Sequence, residues 1–349
     1  MRSLTGWCAN CARTIRRRGD DVRELAFVRH LTGQLTPTRA DTRLALGDDA
    51  AIIQPGNQAL AVTTDTLIEG RHFPHGTAAF DVGYKALAVN CSDLAAMAAE
   101  PAWVTVALTV PTLDSHWCDE FVAGARAAGG GAAVDLIGGD TTRGALSVTV
   151  TAVGTVDAGC ATYRHAACAG DMVAVTGTLG DAAAGLSCLD ADTRALTRDQ
   201  AELVSRLNRP SWRRGAALAG VANAAVDVSD GLLADLGHIL AASDVGARID
   251  LDALPLSMAL ANWVGGDIDA RRRLQATGGD DYELCLTLPP ACFEQAQAAL
   301  GCALTPIGEI VADTGLQLCA GDGTPFDPAA LGSVGWDHFA AADAADKSS

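Results

Sequence analysis

Six short clusters of aspartate stand where apolar stretches of the chain end, and they constrain its fold more than any other feature. The clusters are Gly47-Asp48-Asp49, Thr63-Thr64-Asp65-Thr66, Ser92-Asp93, Gly138-Gly139-Asp140-Thr141-Thr142, Asp227-Val228-Ser229-Asp230-Gly231 and Gly279-Asp280-Asp281. Carboxylates beside hydroxyls and glycines supply the hard oxygen ligands that Mg²⁺ prefers, and such a surface also suits polyphosphate. The pattern therefore predicts a magnesium-dependent nucleotide enzyme.

The acidic composition excludes two classes of partner. A net charge of −17 over 349 residues would repel a nucleic-acid backbone and an anionic membrane surface. Lys85 and Lys347 are the only lysines, so a phosphate would have to be bound by arginine, Mg²⁺ or backbone amides. The sequence has no P-loop motif and no G-x-G-x-x-G motif that opens a helix after a strand.

The cysteines indicate a reducing compartment. Eleven are dispersed along the chain, many within apolar stretches, which favours reduced core thiols and a cytoplasmic protein. Cys8 and Cys11 form a single C-x-x-C, but zinc normally needs four ligands, so no zinc site is predicted. No apolar run is long enough to span a membrane. Residues 1–21 are expected to be a disordered N-terminal extension, and residues 341–349 a frayed tail.

The apolar periodicity predicts two domains, residues 22–156 and 157–340. In the first, helices are expected over Val22–Leu35, Asp81–Ala98 and Ser115–Ala128, and strands over Ala59–Thr64, Trp103–Val110, Val134–Ile137 and Leu146–Val156. In the second, the expected strands are Met172–Thr176, Ala224–Val228, Ala247–Leu251, Tyr282–Leu288, Ile307–Val311 and Leu316–Cys319, and the expected helices are Ala182–Leu189, Asp199–Leu207, Leu232–Ser243 and Ala291–Leu300. Because strands and helices do not alternate strictly, the sequence predicts an α+β or α/β fold with mixed sheets.

Each aspartate cluster alone is also explained by local structure, since Gly-Asp and Asp-Gly favour turns and Ser or Asp caps helices. The repetition of the clusters, with hydroxyls at Thr63, Thr64 and Ser229, favours metal binding instead. Asp93 lies in a predicted helix among apolar neighbours, where an unpaired carboxylate is costly. A metal ion would remove that cost; the alternatives are exposure to solvent or pairing with Lys85.

Seven motifs, in unbroken order from about residue 23 to residue 339, carry a resemblance to a known family. They are Thr63–Phe73 (TTDTLIEGRHF), Tyr84–Trp103 (YKALAVNCSDLAAMAAEPAW), Leu136–Gly144 (LIGGDTTRG), Val175–Leu186 (VTGTLGDAAAGL), Asp227–Leu240 (DVSDGLLADLGHIL), Gly278–Leu284 (GGDDYEL) and Gly335–Phe339 (GWDHF). Together they resemble the thiamine-monophosphate kinase family, within the aminoimidazole-ribonucleotide-synthetase-like superfamily of ATP-using proteins.

The resemblance implies an N-terminal α+β domain that forms a homodimer through its strands, a C-terminal α/β domain, and a site in the cleft near the dimer interface. By motif matching, the residues implied to hold several Mg²⁺ ions are Asp49, Thr63, Thr64, Asp65, Asp93, Asp140, Asp227 and Asp230. Those implied to contact ATP are Gly139, Asp140, Arg164 and Ser229, and those implied to contact thiamine phosphate are His72, Asp280 and Trp336.

The reaction expected from this resemblance is phosphorylation of thiamine monophosphate by ATP, through direct in-line transfer that is assisted by Mg²⁺ and needs no strong general base. Two alternatives stay open from the residues. One is another ATP-using enzyme of the same superfamily, of the purine-precursor synthetase type. The other is an acidic protein that binds divalent ions and has no catalytic activity.

Overall fold

The computed structural model describes residues 38–44, 52–53, 55–190 and 195–332 of the chain. The expected helix over Val22–Leu35, the cysteines Cys8 and Cys11, and two of the predicted site residues, Asp49 and Trp336, lie outside the described residues. Within them, the chain forms a small hairpin, a four-stranded sheet and a seven-stranded sheet.

The N-terminal part is a four-stranded sheet with two helices on one face. Its hairpin consists of β1 (Thr42–Leu44) and β2 (Ile52–Ile53), and its sheet of β3 (Ala59–Ile68), β4 (Glu100–Val110), β5 (Asp135–Arg143) and β6 (Ser147–Val156). The helices are α1 (Ala79–Ala96) and α2 (Ser115–Ala128). The sheet order is β3-β6-β4-β5, antiparallel except for the parallel pair β4 and β5.

Strand β3 shows why this sheet has a covered face and an open face. Side chains alternate along a strand, and in β3 the odd-numbered residues 61, 63, 65 and 67 are partly or fully buried under the helices. The even-numbered side chains face the other way. Leu60, Val62 and Ile68 among them are 43%, 64% and 43% exposed, so β3 presents apolar side chains on the open face.

The C-terminal part is a seven-stranded mixed sheet covered on both faces. Its strands are β7 (Met172–Thr176), β8 (Ala224–Asp227), β9 (Gly246–Asp250), β10 (Leu284–Leu288), β11 (Leu304–Val311), β12 (Gly315–Cys319) and β13 (Pro325–Phe326), in the order β13-β12-β9-β11-β7-β10-β8. Its helices are α3 (Asp181–Asp190), α4 (Arg198–Asn208), α5 (Leu232–Ser243), α6 (Met258–Val264), α7 (Ile268–Thr277) and α8 (Phe293–Leu300). Strands β9 and β12 are parallel, and the other neighbours are antiparallel.

Helix α1 joins the two parts. Its first turns pack on the four-stranded sheet, whereas Ala95 and Ala96 near its end belong to the core on one face of the seven-stranded sheet, with Leu218 and Leu286. The approach is close, because a Cβ added at Gly215 would lie 1.7 Å from the Ala95 carbonyl oxygen. The residues of α1 are therefore fixed relative to both parts of the protein.

The predicted fold class, mixed sheets and two-part architecture are confirmed, but several elements differ from the sequence-based expectation. Strand β3 continues to Ile68 instead of ending at Thr64, and the short strands β1, β2 and β13 were not predicted. Strand β5 continues to Arg143 instead of ending at Ile137, since Gly139 lets it approach β4: a Cβ there would lie 2.1 Å from the Val106 carbonyl oxygen. Helices α6 and α7 were not predicted. No helix in the described ranges combines the length and apolar character needed to cross a membrane.

Two glycines bring α1 and α2 into contact at their crossing point. A Cβ added at Gly83 would lie 2.0 Å from the Phe121 carbonyl oxygen, and one at Gly124 would lie 1.8 Å from the Phe80 carbonyl oxygen. Neither distance is tolerable for a real side chain. The separation of the two helices is therefore set by these two glycines.

Replacing Gly124 by alanine should destabilise the protein, because the added methyl group pushes α1 away from α2. We expect a loss of about 1–3 kcal/mol, typical of overpacking. The matched control is Gly237→Ala in α5, where no atom lies within 4 Å of the added Cβ. That change should be neutral or stabilising by up to about 1 kcal/mol, since alanine favours helix. Urea midpoints measured by circular dichroism test this, and equal shifts in both variants would contradict it.

Candidate active site

Three carboxylates from different elements meet where the two parts of the protein adjoin. Asp65 lies on the covered face of β3, Asp93 on α1, and Asp227 is the last residue of β8. Their side chains are within interaction range of one another, and the Thr63 hydroxyl donates a hydrogen bond to Oδ2 of Asp93. We call these three aspartates with Thr63 the acid cluster.

Burial and mutual repulsion disfavour the charged forms of the acid cluster. Burial, then the charge of Asp93, raises the pKa of Asp65 to about 7. The pKa of Asp93 is also raised by burial, although the hydrogen bond from Thr63 and the Arg164 guanidinium oppose the rise. Burial, then Asp93, holds the pKa of Asp227 well above its ordinary value. The cluster therefore lacks balancing positive charge, and a bound cation would stabilise the charged forms of its carboxylates.

The donor chemistry of the acid cluster fits Mg²⁺. It offers only carboxylate and hydroxyl oxygens, and no thiol or imidazole that would favour a softer metal. Within the described part of the chain, no group of three or more His, Cys, Asp or Glu side chains is arranged to hold a metal ion by itself. Further oxygens are needed to complete a coordination shell, from ligand, water or other residues.

The hairpin that leads to Asp49 is anchored at the edge of the same domain. Asp135 accepts hydrogen bonds from the backbone N–H groups of Thr38 and Arg39 and from the hydroxyls of Thr38 and Thr42, at 2.6–3.1 Å. Although burial acts to raise its pKa, these bonds leave the pKa of Asp135 below the ordinary value. Its carboxylate thereby fixes the start of β1.

Next to the acid cluster, the loop after β8 is held by a carboxylate that the sequence analysis missed. Oδ2 of Asp235 accepts from the backbone N–H groups of Ser229, Asp230 and Gly231 at 3.0, 3.0 and 3.1 Å. Burial, then the charge of Asp230, raises the pKa of Asp235 to about 7. These amides are therefore occupied by the protein itself, and a ligand would meet the side chains of the loop.

In the loop before β10, the side chains of residues 280–283 contact four different parts of the protein. Asp280 faces α1, and Asp281 accepts from the N–H groups of Gly180 and Ala182 at 2.6 and 3.3 Å and so caps α3. Tyr282 packs in the core of the N-terminal part, and Glu283 is fully buried. The partners of Glu283 are Arg206, Arg213 and Thr176. Within the Gly177–Gly180 segment, the N–H of Gly180 thus serves a helix cap, and those of Gly177 and Leu179 donate to the carbonyl oxygens of Ala303 and Pro255.

Lys85 contacts both His72 and Asp280. The Lys85 ammonium lies 3.1 Å from the His72 carbonyl oxygen and 3.1 Å from Oδ2 of Asp280. The His72 ring accepts a hydrogen bond at Nδ1 from the backbone N–H of Ile68, at 2.9 Å, so the proton of a neutral ring sits on Nε2. The suggested pairing of Lys85 with Asp93 is wrong, because Asp280 is the partner of Lys85.

Asp140 and Thr64 do not join the acid cluster. Across the sheet, Asp140 pairs with Ala107, Ala107 with Thr149, and Thr149 with Thr66. Thr66 is on the open face, so the exposed side chain of Asp140 is on that face too. Asp65 is on the covered face and three strands away, about 14 Å at the usual strand spacing. Thr64 is on the open face too, where its hydroxyl contacts that of Thr151 at 2.8 Å.

The predicted site residues therefore fall into groups. The acid cluster, Arg164, the Ser229–Asp230 loop and the pair His72 and Asp280 lie on the covered side of the sheet or at its junction with the C-terminal part. Thr64 and Asp140 lie on the open face, and Gly139 precedes Asp140 in the same edge strand. Asp49 and Trp336 are outside the described residues.

The sequence matches two families over most of its length: AIR synthase related protein, N-terminal domain, over residues 47–156, and AIR synthase related protein, C-terminal domain, over residues 169–319. Thiamine-monophosphate kinase from Escherichia coli (strain K12) is 44% identical over 324 residues, which cover 91% of this chain and 98% of that protein.

Two solved structures are similar in sequence and fold. A crystal structure of thiamine-monophosphate kinase from Stenotrophomonas maltophilia K279a is 46% identical with a TM-score of 0.77, and the match covers 86% of this chain and 96% of that one. A structure of AaThiL complexed with AMPPCP and TMP is 28% identical with a TM-score of 0.72, and the match covers 93% of this chain and 100% of that one.

Replacing Asp93 by asparagine should stabilise the metal-free protein, because burial raises the pKa of Asp93 and the charged carboxylate is therefore costly in the folded state. At about pH 8 in EDTA we expect this gain to appear as a higher melting temperature. Magnesium should raise the melting temperature of the wild type by mass action and that of the variant much less. The exposed Asp313→Asn is the matched control. An unchanged response to magnesium in Asp93→Asn would contradict the assignment.

Proposed function

The chain belongs to the thiamine-monophosphate kinase family, and from that premise we propose that it transfers the γ-phosphoryl group of ATP to thiamine monophosphate. The products are ADP and thiamine diphosphate. The observation that carries this proposal is the acid cluster, whose partly or fully buried carboxylates stand beside Arg164 at the junction of the two parts of the protein. In a complex of polyphosphate with metal ions, the metal ions would supply the positive charge that this cluster lacks. The phosphates would supply the negative charge that pairs with Arg164.

Asp65, Asp93 and Asp227, with the Thr63 hydroxyl nearby, are the residues proposed to hold Mg²⁺ within one chain. When bound, Mg²⁺ would supply positive charge that offsets the negative charge of the donor and acceptor phosphates. The remaining proposed ligands are Asp49, Thr64, Asp140 and Asp230.

The nucleotide is proposed to contact Arg164, Ser229 and Gly139. The exposed Arg164 guanidinium lies close enough to Asp93 to lower its pKa, so it can form charge-assisted hydrogen bonds to phosphate next to the acid cluster. The N–H of Ser229 is taken by Asp235, so Ser229 would use its hydroxyl. Rigid placement of these groups favours the aligned geometry that in-line transfer requires.

The acceptor is proposed to contact His72, Asp280 and Trp336. His72 presents Nε2–H as a donor, and Asp280 presents a carboxylate acceptor. A phosphate oxygen of thiamine monophosphate, largely ionised near neutral pH, attacks the γ-phosphorus. A new P–O bond forms, the bond to the β,γ-bridging oxygen breaks, and ADP leaves with the electron pair. No side chain has to remove a proton from this nucleophile.

We further propose a homodimer in which the open face of the four-stranded sheet is covered by a second copy. Leu60, Val62 and Ile68 give this face an exposed apolar stripe, which is typical of an interface. Asp140 lies on the same face and cannot reach the acid cluster of its own chain. A partner sheet packed there would leave Asp140 in the interface, facing the other chain.

The cellular location proposed is the cytoplasm. The cysteines at 91, 118, 160, 168, 188, 285, 292, 302 and 319 are all free thiols, and five of these nine are not buried in the core. Free thiols of this kind persist in a reducing compartment.

The activity is tested by ADP release from Mg-ATP in the presence of thiamine monophosphate, of thiamine, or of no acceptor. We expect thiamine diphosphate, identified by mass, from the monophosphate alone. Nucleotide binding without transfer would instead favour another ATP-using enzyme of the superfamily. Metal binding without nucleotide affinity would favour the non-catalytic alternative.

The shared site is tested with heterodimers of Asp93→Asn and Asp140→Asn, purified through two different tags. Each homodimer should lose activity by orders of magnitude. If Asp140 acts across the interface, the heterodimer keeps one complete site and about half of the wild-type turnover. Heterodimers of Asp93→Asn and Asp227→Asn are the control, and both of their sites should stay inactive. An inactive Asp93/Asp140 heterodimer, or a fully active monomer, would rule out this arrangement.

A further inference from the structure

Lys85 is a buried lysine in a chain that otherwise relies on arginine. It is one of two lysines, against 23 arginines among the 25 basic residues, and its side chain is 2% exposed on α1. Two oxygens accept from its ammonium group, the His72 carbonyl oxygen and Oδ2 of Asp280, each at 3.1 Å. A buried ammonium is costly unless it is paired, so these two contacts are needed for the lysine to be tolerated there.

The two partners of Lys85 lie in loops, whereas Lys85 lies on a helix. His72 belongs to the turn between β3 and α1, and Asp280 to the loop between α7 and β10. Helix α1 is packed on both sheets and cannot shift without disturbing the close contacts at Gly83 and Gly215. The ammonium group of Lys85, fixed on α1, therefore holds the loops of His72 and Asp280, which come from the two different parts of the protein.

The Asp280 loop has a strained backbone that calls for such an anchor. Asp280 and Tyr282 adopt φ angles of +67° and +53°, in the left-handed region that side chains other than glycine rarely occupy. Their N–H groups donate to the carbonyl oxygens of Ser229 and Val228, both at 2.8 Å. The Tyr282 hydroxyl adds a hydrogen bond of 3.1 Å to Oδ1 of Asp280. Both carboxylate oxygens of Asp280 are thus oriented, one by Lys85 and the other by Tyr282.

From this geometry we infer that Lys85 is a positioning residue for the acceptor: it aligns His72 and Asp280 so that both meet thiamine monophosphate at once. The inference rests on the proposed function. The same geometry defines the chemical role of Asp280. Because the ammonium of Lys85 balances its charge, Asp280 acts as an oriented hydrogen-bond acceptor for the ligand and not as a free counter-ion to a cationic ring.

The choice of lysine over arginine follows from the shape of the site. Two single oxygens on different loops suit a compact ammonium, whereas a planar guanidinium needs more room and paired acceptors. Helix α1 also carries Asp93 eight residues after Lys85, about 12 Å along the helix axis. One rigid helix therefore sets the distance between the acceptor loops and the acid cluster.

The test compares Lys85→Met and Tyr282→Phe with the wild type in steady-state kinetics with both substrates varied. Methionine keeps the volume and removes the charge, so the KM for thiamine monophosphate should rise about tenfold while the KM for ATP changes less than about twofold. Tyr282→Phe removes only one hydrogen bond and should raise the same KM by a smaller factor. Lys85→Arg should not restore the wild-type value.

The control is Arg272→Met, which breaks the ion pair with Asp252 and touches neither loop. It should lower the melting temperature without a selective change in either KM. Equal increases of both KM values in Lys85→Met, in proportion to its loss of stability, would mean a purely structural role and overturn the inference. Failure of the wild type to phosphorylate thiamine monophosphate would instead overturn the proposed function, so the two failures are distinguishable.

Discussion

Electrostatic repulsion among Asp65, Asp93 and Asp227 is the constraint on which the arrangement of the site depends. Three carboxyl groups are brought together from a strand, a helix and the end of a strand in the second sheet, at a place where burial disfavours their charged forms. Packing elsewhere has to supply the free energy that holds them there. The covered sheet faces and the closely packed helices of both parts provide it, and the cation that we propose for the site would also remove the repulsion.

Helix α1 is the element that makes this possible. Gly83 fixes it against α2, while Ala95 and Ala96 at its other end enter the core of the seven-stranded sheet. Between these contacts it carries Lys85 and Asp93, one group for each end of the site. A helix held at both ends positions side chains more accurately than a loop can, which benefits Lys85 and Asp93, the two groups of the junction that it carries.

The sequence predicts regular elements well where apolar periodicity is strong. Met172–Thr176, Ser115–Ala128 and Leu232–Ser243 have the predicted bounds, since each has a clear buried face. Helix α7 was missed because it is polar and only Gln275 and Ala276 are buried; its N-cap Asp267, which accepts from the N–H of Ala270, was the available signal.

The candidate site shows a different limit of sequence-based prediction. Motifs pointed to the acid cluster, but Asp235, which holds the neighbouring loop, and the buried Glu283 were missed, since a carboxylate that binds backbone amides or arginines looks like any other in sequence. When the strand register is unknown, the sequence also does not tell on which face of the sheet a residue lies. Asp140 was therefore grouped with Asp65, although a bulge between Leu136 and Gly138 and three strand positions separate them.

The two ends of the site differ in how they are held before any ligand binds. At the acceptor end, the charge of Asp280 is balanced by Lys85, so that end is ordered by the protein's own contacts. At the proposed nucleotide end, Asp65 and Asp227 face another carboxylate, Asp93, and the exposed Arg164 is the positive group that acts to lower the pKa of Asp93. Preorganisation is therefore strong at the proposed acceptor site and incomplete at the proposed site for phosphate and metal. Such a division would favour selectivity for the acceptor if the cation that orders the nucleotide end arrives with the nucleotide, as we propose.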